Sequence, residues 1–310
     1  MIFSDAMDLI GNTPVVDITC LSPNPRARLL VKLEGQNPFG SFKDRVARAM
    51  LEEARRDGRL SPGQMVLAPS SGNTGISLAG LGGMIGHPVT VVMPASASRE
   101  RRQILEFFGA DVVITSAELG TKGAIGKAHE LAEKNPEWCL LDQYSFDSNA
   151  RAHFETTAPE IWRAAPEITH FVAGIGSGGT LVGVGRFLKE RNSSVAMIAV
   201  EPEHGCPIEG VRNMVEGNEP ALFLKWGGHG LIDFQLHIRH ADSLGMTEKL
   251  ARKCGIFAGP SSGMAMAAAL EIAAGIERGT ILFLACDGGW KYLTSLGTRP
   301  ANPQARPQTD

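Results

Sequence analysis

The sequence predicts an α/β protein built on parallel sheets, and three features predict it. Short β-branched or apolar runs alternate with longer amphipathic stretches from about residue 29 onward. Gly-rich turns sit where those runs pass into the amphipathic stretches. The length of 310 residues accommodates two domains at ~100–200 residues each.

Taken in order, the strand-sized runs are 29–33, 65–68, 89–93, 112–115, 169–173, 197–200 and 281–285. Between them, helical periodicity covers 42–57, 74–82, 100–108, 122–134, 181–191 and 263–274. The stretch 142–151 (DQYSFDSNAR) interrupts the alternation with polar turn residues and marks a domain boundary near 145. No repeat of fixed period is present. Residues 298–310, rich in Pro, Gln, Asn and Ala, read as a disordered tail.

Apolar residues make up 43% of the chain and charged residues 20%, an ordinary globular balance, and the net charge is -3. No long run of Lys or Arg exists that could track nucleic-acid phosphates. Cys20, Cys139, Cys206, Cys254 and Cys286 form no C-x-x-C pair and have no His in ligand spacing. That argues against a metal site and fits a reducing compartment. The start, MIFSDAMDLI, lacks the basic-then-apolar pattern of a secretion signal, and runs such as 281–285 are too short to span a bilayer. The expectation is a cytoplasmic protein that binds neither nucleic acid nor membrane.

Three loops carry the chemistry. In 34–45 (EGQNPFGSFKDR) a Pro-Phe-Gly-Ser turn delivers Lys43 to the opening of a helix, with Ser41 placed as N-cap and Asp44 closing a capping box. On its own this reads first as a solvated helix start. An aldehyde cofactor, however, needs an amine that can shed its proton in a desolvated pocket, and Lys alone supplies one. The second loop, SSGNTG at 70–75, follows a strand and opens a helix. Its glycines allow close backbone approach, and Ser71, Asn73 and Thr74 add neutral donors suited to a carboxylate. A plain capped turn explains it equally well in isolation.

The third loop, GIGSGGT at 174–180, satisfies G-x-G-x-x-G through Gly174, Gly176 and Gly179, and Glu201 lies 22 residues beyond Gly179. Read alone this is a dinucleotide fingerprint and points to NAD. More generally it reports a phosphate cradled at a helix N-terminus. A further cluster, GPSSG at 259–263, places Ser261 and Ser262 as N-caps of a helix whose Met and Ala stripe is core.

Together these segments resemble the fold-type II pyridoxal-phosphate (PLP) enzymes, specifically the cysteine synthases (O-acetylserine and O-phosphoserine sulfhydrylases). The similarity spans about residues 8–296 and includes GNTPVV (11–16), EGQNPFGSFKDR, SSGNTG, ERRQILEFFGA (100–110), THFVAGIGSGGT (169–180), GIFAGPSSG (255–263) and CDGGWKYL (286–293). It implies two doubly wound α/β domains of the tryptophan synthase β-like kind. The smaller would cover 42–145 with the Lys and SSGNTG loops, and the larger 1–41 plus 146–297 with the phosphate loop.

The resemblance also implies roles. Lys43 would hold PLP as an imine and later remove the substrate α-proton. Asn73 would hydrogen-bond the cofactor's ring hydroxyl. Gly176, Ser177, Gly178, Gly179 and Thr180 would form the phosphate cup, and Ser261 would meet the pyridine nitrogen. Ser70, Ser71, Gly72, Thr74 and Gln143 would hold the substrate carboxylate. A neutral Ser at the ring nitrogen makes a weaker electron sink, which favours β-replacement over transamination. The implied reaction converts an O-activated serine, through α-aminoacrylate, to L-cysteine with sulfide or another sulfur donor.

The stretches EPEHGCPIEGVRNM (201–214), AHFETTAPEIW (152–162) and CDGGWKYL resemble the B-type branch and its phosphoserine-using relatives. Arg212 then corresponds to an Arg that meets the substrate phosphate, and O-phosphoserine is preferred to O-acetylserine. A surface ion pair is the competing role for Arg212. Other readings stay open: a serine/threonine dehydratase, which usually has His where Thr74 stands; cystathionine β-synthase; a synthase of another β-substituted alanine; a catalytically silent binding protein; or an NAD-binding oxidoreductase. Intact Lys43, Asn73 and Ser261 speak against a silent relative. The family is usually homodimeric. Binding of a serine acetyltransferase tail or a sulfur-carrier protein is not readable from these motifs.

Overall fold

In a computed structural model of the chain, residues 2–70, 72–214 and 219–297 are described. Ser71, assigned above to the substrate carboxylate, and the tail 298–310, expected to be disordered, lie outside them.

Strands β1 (Val15–Asp17) and β2 (Ala27–Leu33) lead to helix α1 (Lys43–Arg56). There follow β3 (Val66–Pro69), α2 (Asn73–Met84), β4 (Val89–Pro94), α3 (Arg99–Phe107), β5 (Asp111–Thr115), α4 (Gly120–Lys134) and β6 (Cys139–Leu140). Next come α5 (Asp147–Ala152), a π-helical turn (His153–Thr157), α6 (Ala158–Ala164), β7 (His170–Gly174), α7 (Gly179–Arg191) and β8 (Ala196–Pro202). Short α8 (Ala221–Lys225) and α9 (Gly228–Leu231) precede β9 (Phe234–Ile238), α10 (His240–Cys254), α11 (Pro260–Gly275), β10 (Gly279–Ala285) and α12 (Leu293–Leu296).

The strands form two sheets, one ordered β5-β4-β3-β6 and the other β1-β2-β10-β7-β8-β9. Every pairing is parallel except that of β1 with β2. Alternation along the strands feeds a core on each face. In β10, Leu282 and Leu284 join Ile161, Leu181 and Val184 of α6 and α7, whereas Ile281 and Phe283 join Leu250, Met264 and Ala268 of α10 and α11. In β3, Val66 and Ala68 pack with Met50 and Ile76, while Leu67 turns to Ala124 and Ala128 of α4. Both sheets are therefore covered on both faces, which is why their strands read as continuous apolar runs. No described helix is long and apolar enough to cross a membrane.

All seven expected strands and all six expected helices fall on observed elements. Three strands escape the pattern: β1, with 3 residues, and β6, with 2, are too short to show alternation, and β9 is an edge strand whose Phe234 and Gln235 face solvent. The helical stretch 147–164 was hidden because its π turn breaks the helical period.

Two cap expectations are corrected. Helix α1 starts at Lys43 behind Phe42, whose backbone is already helical, so Ser41 is not its N-cap residue, although Ser41 Oγ accepts from Lys43 N (3.2 Å). The buried Asp44 carboxylate instead reaches Phe39 N (2.7 Å) and Ser77 Oγ (2.6 Å), so it clamps the turn before Lys43 to α2. Burial pushes its carboxyl up to about 6 against those hydrogen bonds. Helix α11 begins at Pro260 behind Gly259, so Ser261 and Ser262 lie in its first turn and are not its caps.

Candidate active site

The carboxyl ends of β2, β3, β7, β8 and β10 converge on one cavity of about 150 Å³, the place where parallel α/β sheets present ligand sites. Loops from these strand ends supply Lys43, Ser70, Gly72, Asn73, Thr74, the 176–180 loop and Arg212, while Gln143 follows β6 and Ser261 sits in the first turn of α11; all line the cavity except Gly179, which opens α7 behind the wall. The structure thus brings together the described residues assigned above to cofactor and substrate, with Gly179 behind the wall and Glu201 and Ser262 turned away from the cavity.

Lys43 opens α1 and is 8% exposed. Among the described residues its Nζ makes a single hydrogen bond, 3.3 Å to Ser177 Oγ, and it lies 4.6 Å from the Phe42 ring centroid. Burial brings its ammonium down to about 8, with Cys286 opposing slightly. Two of its three donor positions remain unspent beside a cavity.

Across from it, the 176–180 loop leads into α7. Gly178 takes φ +82°, a left-handed conformation that an L side chain resists, and a Cβ there would lie 2.6 Å from Phe223 Cβ. A Cβ on Gly176 would meet Gly210 O at 2.6 Å. Among the described residues, no acceptor takes the N–H groups of residues 176–180. Such donors at a helix start form an anion cup. Behind it, Asn149 Nδ2 donates to Ser177 Oγ (2.9 Å) and to Gln143 O (2.7 Å), while its buried Oδ1 has no partner among the described residues. Thr180 Oγ1 lies 3.2 Å from His153 Nε2, and burial with nearby Lys43 and Arg45 holds His153 neutral, well below its usual range. The donor set fits a ligand with a phosphate at one end and an amine-reactive carbonyl at the other.

The SSGNTG loop caps α2 through Gly72, and Ser70 Oγ accepts from Gly75 N (2.9 Å). Thr74 Oγ1 donates to Gln143 Oε1 (2.7 Å), so two residues assigned to one carboxylate stand in contact. Asn73 lines the cavity, but its amide is held from behind by Asp287 Oδ2 (2.7 Å) and Lys291 Nζ (2.8 Å). Ser262, Ser261's neighbour, uses its Oγ to accept from Cys286 N (3.0 Å), leaving Ser261 on the cavity.

The remaining wall is cationic and aromatic. Arg212 Cζ sits 4.5 Å over the Tyr144 ring, and its backbone N–H donates to Ile175 O (2.7 Å). Arg101 reaches from α3 to Tyr292 OH (2.7 Å) and pairs with Glu209 (2.7 Å) on the 203–214 loop. Glu201, which completes the dinucleotide pattern, does not face the cavity. It is fully buried and accepts from Met214 N (2.7 Å) and Gln235 Nε2 (2.5 Å), anchoring the loop that carries Arg212.

Sequence reasoning missed Arg101, Tyr144, Asn149, Glu209, Asp287, Lys291 and Tyr292. Their segments were quoted as motifs, but nothing in residue type sets them apart from surface charges. The one local signal was the Gly-Gly-Trp-Lys-Tyr run at 288–292, shortly after the last core strand.

The pyridoxal-phosphate dependent enzyme family matches residues 6–287 of the chain. The cysteine synthase B of Salmonella typhimurium is 39% identical over 287 residues, spanning 92% of this chain and 93% of that protein. The solved structure of an O-ureido-L-serine synthase superposes with a TM-score of 0.91 at 32% identity, over 98% of this chain and 99% of the other. An O-acetylserine dependent cystathionine beta-synthase from Helicobacter pylori superposes at 0.89 with 35% identity, over 95% and 98%.

Proposed function

The chain belongs to the pyridoxal-phosphate-dependent enzymes, in their cysteine synthase branch, and from that premise we propose that it makes cysteine from an O-activated serine whose preferred leaving group is phosphate. The observation that supports phosphate over acetate is Arg212, whose guanidinium lines the cavity and is braced on Tyr144. A planar guanidinium suits a dianionic phosphate and gives little to an acetyl ester.

When bound, the cofactor supplies an electron sink conjugated to the substrate α-carbon. The residues of the chain do the rest. Lys43, with its ammonium brought from 10.5 down to about 8, gives up its proton far more readily than an ordinary lysine and serves as the base for the α-proton. The 176–180 loop holds the cofactor phosphate, Asn73 meets the ring oxygen and Ser261 the ring nitrogen, without adding charge. Thr74 and Gln143, with Ser70 and Gly72, grip the substrate carboxylate. Sulfide or another sulfur donor then delivers the nucleophile. A two-domain division near residues 42 and 145, homodimerisation and a cytoplasmic location belong to the same proposal, supported by family resemblance.

The test is kcat/KM with O-phosphoserine and with O-acetylserine, sulfide as acceptor, for the wild type and Arg212→Ala. The wild type is expected to favour phosphoserine. The variant should lose about 100-fold with phosphoserine, as for a charged hydrogen-bonded pair, and under about threefold with acetylserine. Equal losses would return Arg212 to a structural role, and a wild-type preference for acetylserine would overturn the assignment of the leaving group.

A further inference from the structure

The buried groups behind the cavity wall include a second lysine that the proposed chemistry does not use. Lys291 is 0% exposed, and its Nζ spends all three donors: Phe39 O (3.0 Å), Gly40 O (3.1 Å) and Asn73 Oδ1 (2.8 Å). The first two acceptors belong to the turn that delivers Lys43, and the third to the SSGNTG loop. One ammonium thus ties together two of the three segments that build the cavity, from a position on the C-terminal segment.

Its contact with Asn73 decides a chemical question. A carboxamide can present either its oxygen or its nitrogen to a ligand, and its two ends are sterically alike. Here the ammonium takes Oδ1, while Asp287 Oδ2 accepts from Nδ2 (2.7 Å) and also from Tyr292 OH (2.7 Å). The flipped amide would set donor against ammonium and acceptor against carboxylate. Nδ2 has a second N–H beyond the one given to Asp287, and Asn73 lines the cavity.

We propose that Lys291 is a positioning residue for the cofactor, which locks the Asn73 amide so that it offers an N–H, and not its oxygen, to the cofactor's ring oxygen. This rests on the reading above that Asn73 meets that ring oxygen. Asp287 opposes the flip from the other side and its backbone bridges Ser41, whereas Lys291 joins the amide to the carbonyls of the turn that carries Lys43 through a single ammonium. Losing it frees Asn73 to turn and leaves Phe39 O without a donor among the described residues, while Gly40 O keeps its bond from Gly288 N (3.1 Å).

The experiment is a double-mutant cycle on full-length holoenzyme with Asn73→Ala, Lys291→Met and the pair, plus Lys291→Arg as the conservative rescue. The readouts are the visible absorption maximum of the bound cofactor and its dissociation constant by equilibrium dialysis. Asn73→Ala and Lys291→Met should shift the band in the same sense and raise the constant roughly tenfold each. The pair should be no worse than Asn73→Ala alone, and Lys291→Arg should return towards wild type. A wild-type band and constant in Lys291→Met, beside a shifted Asn73→Ala, overturns the inference, as does a multiplicative loss in the pair. If Asn73→Ala itself changes nothing, the reading of Asn73 fails and the role of Lys291 falls with it. Should Lys291→Met not fold, Lys291→Gln, which removes the charge and keeps two donors, takes its place in the same cycle.

Discussion

Lys43 on the cavity floor and Lys291 behind its wall differ less in acidity than in what their hydrogens are doing. Burial lowers both ammonium groups to about 8, opposed weakly by Cys286 at Lys43 and by Asp287 and Asp44 at Lys291. Among the described residues Lys43 has one long hydrogen bond, 3.3 Å to Ser177, and it lines the cavity. Lys291 has three acceptors within 3.1 Å and does not line it. A depressed ammonium therefore does not by itself mark a nucleophile. The mark is a depressed ammonium with unspent donors beside a cavity. Where every hydrogen is committed, the same burial produces a clamp.

The largest expected effect falls on the first lysine. Lys43→Ala should reduce turnover by at least ~10³-fold, because it removes both the covalent anchor and the base. Borohydride reduction of the PLP-loaded wild type, read by intact mass and peptide mapping, should place the label on Lys43. In Lys43→Ala no label should remain. A label that moves to Lys291 would break the comparison, since it would show that a committed amine can still react.

A smaller effect has opposite signs at the two sites. With the cofactor removed, Lys43→Met takes away a buried charge that has little compensation, and should stabilise the chain to urea by about 1–3 kcal/mol. Lys291→Met orphans the acceptors at Phe39 and Asn73 and takes one of two donors from Gly40 O, and should destabilise it by about 2–4 kcal/mol. Equal signs would mean that the hydrogen-bond count does not separate the two sites.

That count is also what the sequence could not display. The three loops were legible because glycines, small polar residues and a strand-to-helix junction lie within a few positions of one another. The core strands were legible because burial on both faces makes them continuously apolar, as in β3 and β10. Lys291 was not, because its partners at Phe39, Gly40 and Asn73 lie more than 200 residues away and two of them are backbone carbonyls, which carry no residue signature. The same holds for Arg101, whose contacts with Tyr292 and Glu209 join segments from different parts of the chain. Ser41 misled for the opposite reason. Its local spacing to Asp44 matched a capping box, but Asp44 found a better partner in Ser77 of a neighbouring helix.

The pH dependence of stability gives the finest test, and its sign follows from linkage. Each lysine has a folded value of about 8 against an ordinary 10.5, so above pH 8 the unfolded chain holds more protons than the folded one. Stability of the cofactor-free chain should then rise with pH from about 8, by up to ~1.4 kcal/mol per pH unit for each lysine, and these two contributions should be flat below about 7. The rise weakens above pH 9. Burial pushes the Cys286 thiol up to about 12, so above its ordinary value of 9 the unfolded chain loses a proton that the folded one keeps, and stability is drawn down. Urea unfolding of the cofactor-free chain between pH 7 and 9 should therefore show an upward slope near pH 8–9. Lys43→Met and Lys291→Met should each remove about half of that slope. The two lysines would then be equal in this one property while differing in the sign of their mutational effect, as expected if burial sets the acidity and hydrogen-bond commitment sets the role. A slope that survives in Lys291→Met and vanishes in Lys43→Met would mean that Lys291, held by three acceptors, keeps an ordinary affinity for its proton, and the two sites would differ in acidity as well as in commitment.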